Sequence, residues 1–237
     1  MVDRAALMDA PDELMELLKL SDRREPAVVD TVVWVVLGIL QGRLVPGQDL
    51  NSVELASQVG VSRIPVREAL ALLESQGLVE MRARKRPRVA AFSPEQIREV
   101  FFVRAQLMSA LGKIAAERAT DSDLARLSSI VDTLRKYAAA NDDDDYRWAH
   151  FKYFDIMVEI SGNETARGIL NSLFLRTLSR RRALSEPGRV AESLHFAELI
   201  LEAFQRRDGD LVALLVRRAI EAALAAIERA APPPDEA

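Results

Sequence analysis

Residues 60–80 read GVSRIPVREALALLESQGLVE, and no other run constrains the chain as tightly. Gly60 breaks whatever precedes it, Ser62 is a residue type that caps helices, and Pro65 falls in a first turn, where a missing N–H costs little. Val66, Leu70 and Leu73 recur at helical spacing, so the helix they define turns one face to a core. Arg63 and Arg67 are four residues apart and share another face. Gly77 ends the run. A short helix with an apolar back and two arginines in its opening turns is the second half of a helix-turn-helix, a device that reads the major groove with the start of its second helix.

The surrounding sequence supplies the rest of such a head. From Pro26 the run VVDTVVWVVLGIL predicts a helix ending near Gln41–Gly42, and Val45-Pro46-Gly47 predicts a turn. Asp49–Val59 predicts a short helix with Asn51 or Ser52 as its cap. After Gly77, Leu78–Met81 and Pro87–Phe92 predict two short strands around Arg82–Arg86. Residues 26–92 thus predict three helices and a small β-hairpin, a winged helix-turn-helix. Residues 1–25, acidic and then basic, form a leader that is an arm or a short helix.

Past Ser93-Pro94 only helical periodicity appears, to Ala230. It is interrupted near Thr120–Asp121, Asn141–Asp145, Gly162–Asn163, Glu186–Gly188 and Asp208–Gly209. This divides 93–230 into about six helices with short connections, the pattern of an antiparallel bundle. Asp142–Asp145 reads as a solvated helix start favoured by the helix dipole. The tail 231–237, APPPDEA, is expected to be disordered. The fold class is mainly α, with a winged helix-turn-helix followed by an all-α bundle.

Charge separates the two parts. The 237 residues carry a net charge of −4, yet Ser62–Arg88 holds seven Arg or Lys against three Glu, a local +4. A basic segment in an acidic chain points to one surface for a polyanion. There are no cysteines, which excludes disulfides, thiolate zinc sites and cysteine nucleophiles. The longest apolar run, Val32–Leu40, has nine residues, whereas a membrane-spanning helix needs about 20. The first twenty residues carry acidic side chains within their apolar stretch, unlike a signal peptide. The expectation is a soluble, cytoplasmic protein that does not engage membranes. Nucleophile motifs, phosphate loops and carboxylate pairs at useful spacing are missing from the sequence, so no enzymatic activity and no cofactor are expected.

The N-terminal segment resembles the GntR family of bacterial transcriptional regulators. The resemblance is carried by Gly42-Arg43-Leu44, Pro46-Gly47, Leu50, Glu54-Leu55-Ala56, Gly60-Val61-Ser62-Arg63, Pro65-Val66-Arg67-Glu68-Ala69-Leu70, Leu73-Glu74 and Gly77-Leu78-Val79. The second part resembles the helical effector-binding domain, of FCD type, in the FadR-like subgroup. There the matching features are Val103-Arg104, Ala115-Ala116-Glu117, Gly162-Asn163, Ile200-Leu201 with Ala203, and Val216-Arg217-Arg218. Together they span residues 26–230.

The resemblance implies a homodimer that binds a double-stranded DNA operator and represses or activates in response to a ligand, with repression the expected sign. It implies operator contacts for Arg63 and Arg67, and an arginine fork matches the two acceptors of a guanine edge. Ser62 and the free N–H groups beside it suit a phosphate, and Pro65 belongs to the same reading segment. For Arg67 a pair with a carboxylate of the protein is the alternative. Arg43, Arg82, Arg84, Lys85, Arg86 and Arg88 are expected on the DNA backbone or in the minor groove. One departure stands out: the family's wing usually has a glycine at its tip, and here the tip reads Arg84-Lys85-Arg86-Pro87-Arg88, where positive φ is harder to adopt.

Many domains of the second type hold a divalent metal with an Asp and three His. The corresponding places here are His150, Phe154, Ala197 and Ala219, so no metal is expected. His195 lies two residues from the third place, about 200° around a helix; a rearranged site using His150 and His195 is the alternative. The expected ligand pocket holds Arg104, His150, Phe154, Asn171 and Arg176. Arg104 has two open readings, an anchor for a carboxylate ligand or an internal bridge to Asp155 or Glu159. The implied effector is a small carboxylate or an acyl compound. In the competing reading, side chains such as Phe154 have filled the pocket and nothing binds.

Overall fold

A computed structural model describes residue 18, residues 25–177 and residues 188–230 of the protein. Most of the expected leader and the whole tail 231–237 lie outside the described residues. Nine helices and one two-stranded sheet are present among those described. The chain divides into two compact units: residues up to Ser93 with 171–177, and 94–170 with 188–230.

In the first unit, α1 (Pro26–Leu40) starts on a proline and buries Val28, Val32, Val33, Val35, Val36 and Ile39. A helix apolar on nearly every side has to be central, and α1 packs against both helices that follow. α2 (Ser52–Val59) is capped by Asn51, whose side chain accepts from the Val53 N–H at 3.0 Å. This helix starts later than its sequence suggests. Asp49 forms an isolated bridge with Arg88, and the Leu50 N–H donates to the Pro87 carbonyl at 2.7 Å. This strand-like pairing holds Asp49 and Leu50 against the hairpin, so the helix opens only after Asn51.

Gly60 then turns the chain with φ of 80°, donating its N–H to the Ala56 carbonyl at 3.0 Å. α3 (Arg63–Ser75) buries Pro65, Val66, Ala69, Leu70 and Leu73 against α1 and α2. Strands β1 (Val79–Glu80) and β2 (Arg88–Val89) pair antiparallel, with Val79 opposite Val89 and Glu80 opposite Arg88. They are shorter than expected, although the Ala90 N–H still reaches the Leu78 carbonyl at 2.9 Å.

The second unit is built from α4 (Pro94–Arg118), α5 (Asp121–Ala140), α6 (Asp143–Ser161), the first half of α7 (Glu164–Arg176), α8 (Arg189–Gln205) and α9 (Gly209–Arg229). α4 and α9 run antiparallel, because Arg98 meets Glu228, the Ser109 hydroxyl donates to the Ala213 carbonyl, and Lys113 meets Asp210. Gly112 permits their close approach: a Cβ there would lie 3.1 Å from Val212 Cγ1. α5 opens with a capping box in which Thr120 and Asp123 satisfy each other's backbone N–H groups. At the start of α6, Asp142 accepts from the Asp145 N–H at 3.1 Å, so this acid caps the helix directly. The core is filled by Leu127, Val131 and Leu134, by Tyr153 and Met157, by Ile200 and Phe204, and by Val212 and Val216.

Gly60 sits in the left-handed region, which costs a side-chain-bearing residue about 1–2 kcal/mol. Gly60→Ala is expected to lower stability by about 1 kcal/mol, measured as a lower urea midpoint at unchanged slope.

Candidate nucleic-acid interface

α3 separates its residues cleanly. Its apolar side is buried, and Ser62, Arg63, Ile64, Arg67 and Glu68 are exposed on its opening turns. Neither Arg63 nor Arg67 forms an ion pair or side-chain hydrogen bond among the described residues. The expected alternative for Arg67, a carboxylate of the protein, is therefore not met there. Ser62 stands at the N-cap position but makes no side-chain cap bond. The sequence reading of Ser62 as a cap is corrected: its hydroxyl and the first N–H groups of α3 stay available to an outside acceptor.

Pro65 needs a second correction. It is buried beside Val66, so it shapes the first turn from inside and offers nothing to a ligand. Ile64 belongs to no motif read from the sequence. It is 77 % exposed, an aliphatic side chain between the two arginines. An apolar residue off the core-facing spacing of its helix was the available signal. Such a group suits a thymine methyl.

The basic residues of the wing fall into two sets. Arg82 is turned inward on the hairpin: its Nη2 pairs with Asp49 and donates to the Arg86 carbonyl at 3.0 Å. Arg88 bonds Glu80, its partner across the strands, at 2.6 Å, which is the cross-strand pairing that steadies a two-stranded ribbon. Both hold the wing together, whereas the sequence alone placed them on the DNA backbone or in the minor groove. Arg84, Lys85 and Arg86 are exposed at the tip, with no side-chain bond among the described residues. Arg43 is exposed; its guanidinium lies 5.1 Å from the Trp34 ring centre and its Nε donates to Gln41 at 2.9 Å. The missing wing glycine has a direct consequence, since Arg84 takes φ of 58° in its place.

In the helical unit, Arg104 lies half-buried with its guanidinium 5.0 Å from the Phe101 ring centre, and burial lowers its pKa to about 10. It stays protonated at neutral pH. Asp155 is bonded by Arg167 at 2.9 Å and Glu159 by Arg126 at 2.8 Å. His150 stands in a column of rings on α6, stacked at 6.0 Å on Tyr146 and edge-on at 5.0 Å to Phe154. Asn171 and Arg176 lie on α7, in the stretch that groups with the first unit.

The four places of the expected metal site hold an imidazole, a phenyl ring and two buried methyl groups. The Tyr153 hydroxyl donates to the Ala197 carbonyl at 3.0 Å. His195 is exposed, turned away from buried Ala197. One nitrogen donor does not make a divalent-metal site, and these residues do not fit the ion.

The FCD domain family profile matches residues 99–233, and that of the bacterial regulatory proteins, gntR family, matches residues 37–89. The HTH-type transcriptional regulator LutR of Bacillus subtilis is 31% identical over 166 residues, covering 62% of this chain and 74% of LutR. The HTH-type transcriptional repressor RspR of Escherichia coli is 28% identical over 173 residues, covering 71% and 75%. Among solved structures, E. coli McbR/YncC superposes with a TM-score of 0.72 at 21% identity, covering 86% of this chain and 97% of that one; that likeness concerns the fold.

Arg84 yields a prediction that separates folding from binding. Arg84→Gly relieves a left-handed side-chain residue and is expected to stabilise the protein by roughly 0.5–1 kcal/mol while weakening its hold on any polyanion. A urea midpoint that fell would contradict it.

Proposed function

Because the chain belongs to the GntR family of bacterial transcriptional regulators and carries an FCD domain, we propose that it acts as a homodimeric, ligand-responsive repressor in the cytoplasm. The observation that carries this reading is the pair Arg63 and Arg67: exposed, one turn apart, on a helix whose other face is buried. In this proposal the start of α3 enters the major groove. The two guanidinium forks take guanine edges, Ile64 meets a thymine methyl, and Ser62 with the helix N–H groups holds a phosphate. Arg84, Lys85 and Arg86 on the wing, with Arg43, add contacts that are blind to sequence. Two copies read two half-sites of a two-fold operator.

The helical unit receives a small metabolite near Arg104, His150 and Phe154 and favours one of two arrangements of the dimer. Repression is supported by the likeness to RspR, a transcriptional repressor by name. No helix among the described residues is long and apolar enough to cross a membrane, and the related proteins are regulators rather than enzymes.

Fluorescence anisotropy on a genomic fragment selected by the native protein tests the DNA-reading part. Arg63→Ala and Arg67→Ala are each expected to weaken specific binding by about 5- to 150-fold, the worth of one bidentate base contact, with unchanged melting temperature. Unaltered affinity in both variants would refute the groove assignment. Replacing Arg84, Lys85 and Arg86 together by Ala is expected to weaken binding to all sequences alike. It should also flatten the slope of log K against log salt by about 0.9 for each phosphate that the wing no longer neutralises.

A further inference from the structure

We propose that Arg189, Tyr146 and Ser193 form a carboxylate-binding site within the helical unit, one that takes a small organic acid with an apolar or planar body. The inference rests on the ligand-responsive reading above and names the chemistry of its ligand.

Arg189 is the first residue of α8, immediately after Gly188, which provides no side-chain cap. Its side chain is only 5 % exposed. This placement is unfavourable twice over. A cation at a helix N-terminus opposes the helix dipole, and a guanidinium removed from water needs compensating charge. The compensation present is partial. Arg189 Nη1 meets Glu192 Oε2 at 3.1 Å, but that carboxylate is half in solvent, and Nε has no hydrogen-bond partner among the described residues. Burial lowers the Arg189 pKa, and the nearby positive charge of Arg229 lowers it further against the pull of Glu192.

Tyr146 supplies a second orphan within electrostatic reach of Arg189. The residue is 3 % exposed, and its hydroxyl also lacks a hydrogen-bond partner among the described residues. The buried Ser193 hydroxyl lies near it and acts against burial, lowering the Tyr146 pKa. Burial pushes the Tyr146 pKa up to about 12, so it is a neutral O–H donor. Two buried donors on different helices lack an acceptor among the described residues, beside a helix start that favours an anion.

A carboxylate answers all of these together. Its oxygens accept from Arg189 Nε–H and from the Tyr146 hydroxyl, its single charge meets the guanidinium, and charge-assisted bonds of this kind are the strong ones. A phosphate dianion would set two negative charges against Glu192, which already shares the guanidinium. The body of the acid has a surface to lie against, because Tyr146, His150 and Phe154 follow one another along α6 as a column of rings.

Calorimetry and thermal shift on the full chain test the site, with acetate, lactate, succinate, benzoate and octanoate at millimolar concentration, and inorganic phosphate at matched ionic strength. At least one of the acids is expected to bind and to raise the melting temperature. Tyr146→Phe is expected to weaken that binding about 5- to 10-fold while raising the melting temperature of the ligand-free protein, because an unpaired buried hydroxyl is gone. Arg189→Lys, which keeps the charge and loses the fork, is expected to weaken it roughly 30-fold. The proposal is overturned if none of the acids binds, if phosphate binds as tightly as the best of them, or if affinity is unchanged in both variants. It is also overturned if Tyr146→Phe lowers the ligand-free melting temperature. DNA anisotropy on the same samples separates the two levels. DNA binding that depends on Arg63 and Arg67 without acid binding fails this site alone, whereas acid binding that leaves DNA affinity unmoved fails the ligand-responsive reading.

Discussion

The burial of Val66, Ala69, Leu70 and Leu73 against α1 and α2 is the interaction on which the head depends. These side chains fix the rotation of α3 about its own axis, and that rotation decides which residues face outward. Burying each large aliphatic side chain contributes about 1.5–3 kcal/mol, far more than any preference of an exposed arginine. The positions of Arg63, Ile64 and Arg67 are therefore consequences of packing on the opposite face. A recognition surface set in this way can change its outer residues, and so its reading of DNA, without disturbing the fold that presents it.

The wing shows the same division within a smaller element. Two of its arginines, Arg82 and Arg88, hold the strands and the Asp49 segment together, which leaves Arg84, Lys85 and Arg86 at the tip to face outward. Arg84 takes a backbone conformation that favours glycine. In the proposed reading this strain falls where a positive charge meets the DNA backbone, and local conformational cost tends to gather near functional surfaces.

Much of this architecture was legible in the chain. The helices of the second unit follow from breakers and caps such as Gly162, Asp208 and Thr120, because local chemistry decides where a helix stops. Less legible were features set by partners distant in sequence. Asp49 resembles a helix start until its bridge to Arg88 is known. Ser62 resembles a cap, yet makes no such bond. Arg82 and Arg88 looked equivalent to their neighbours, since nothing local distinguishes a cross-strand pair from a solvated charge. The division of α7 between the two units, after Leu170, has no breaker in the sequence to mark it. Arg189 did leave a trace, a cation directly after a glycine at a helix start, but only its burial gives that trace meaning.

The central claim is that the outer face of α3 reads base edges in the major groove. Substituting 7-deazaguanine for guanine in the bound duplex removes the N7 acceptor and leaves base pairing and phosphates in place. Wild-type protein should then lose about 1–3 kcal/mol of binding free energy at the guanines it reads, and a variant with both Arg63 and Arg67 replaced by Ala should be indifferent to the substitution. Equal losses in the two proteins, or none in either, would contradict the placement of that helix in the groove.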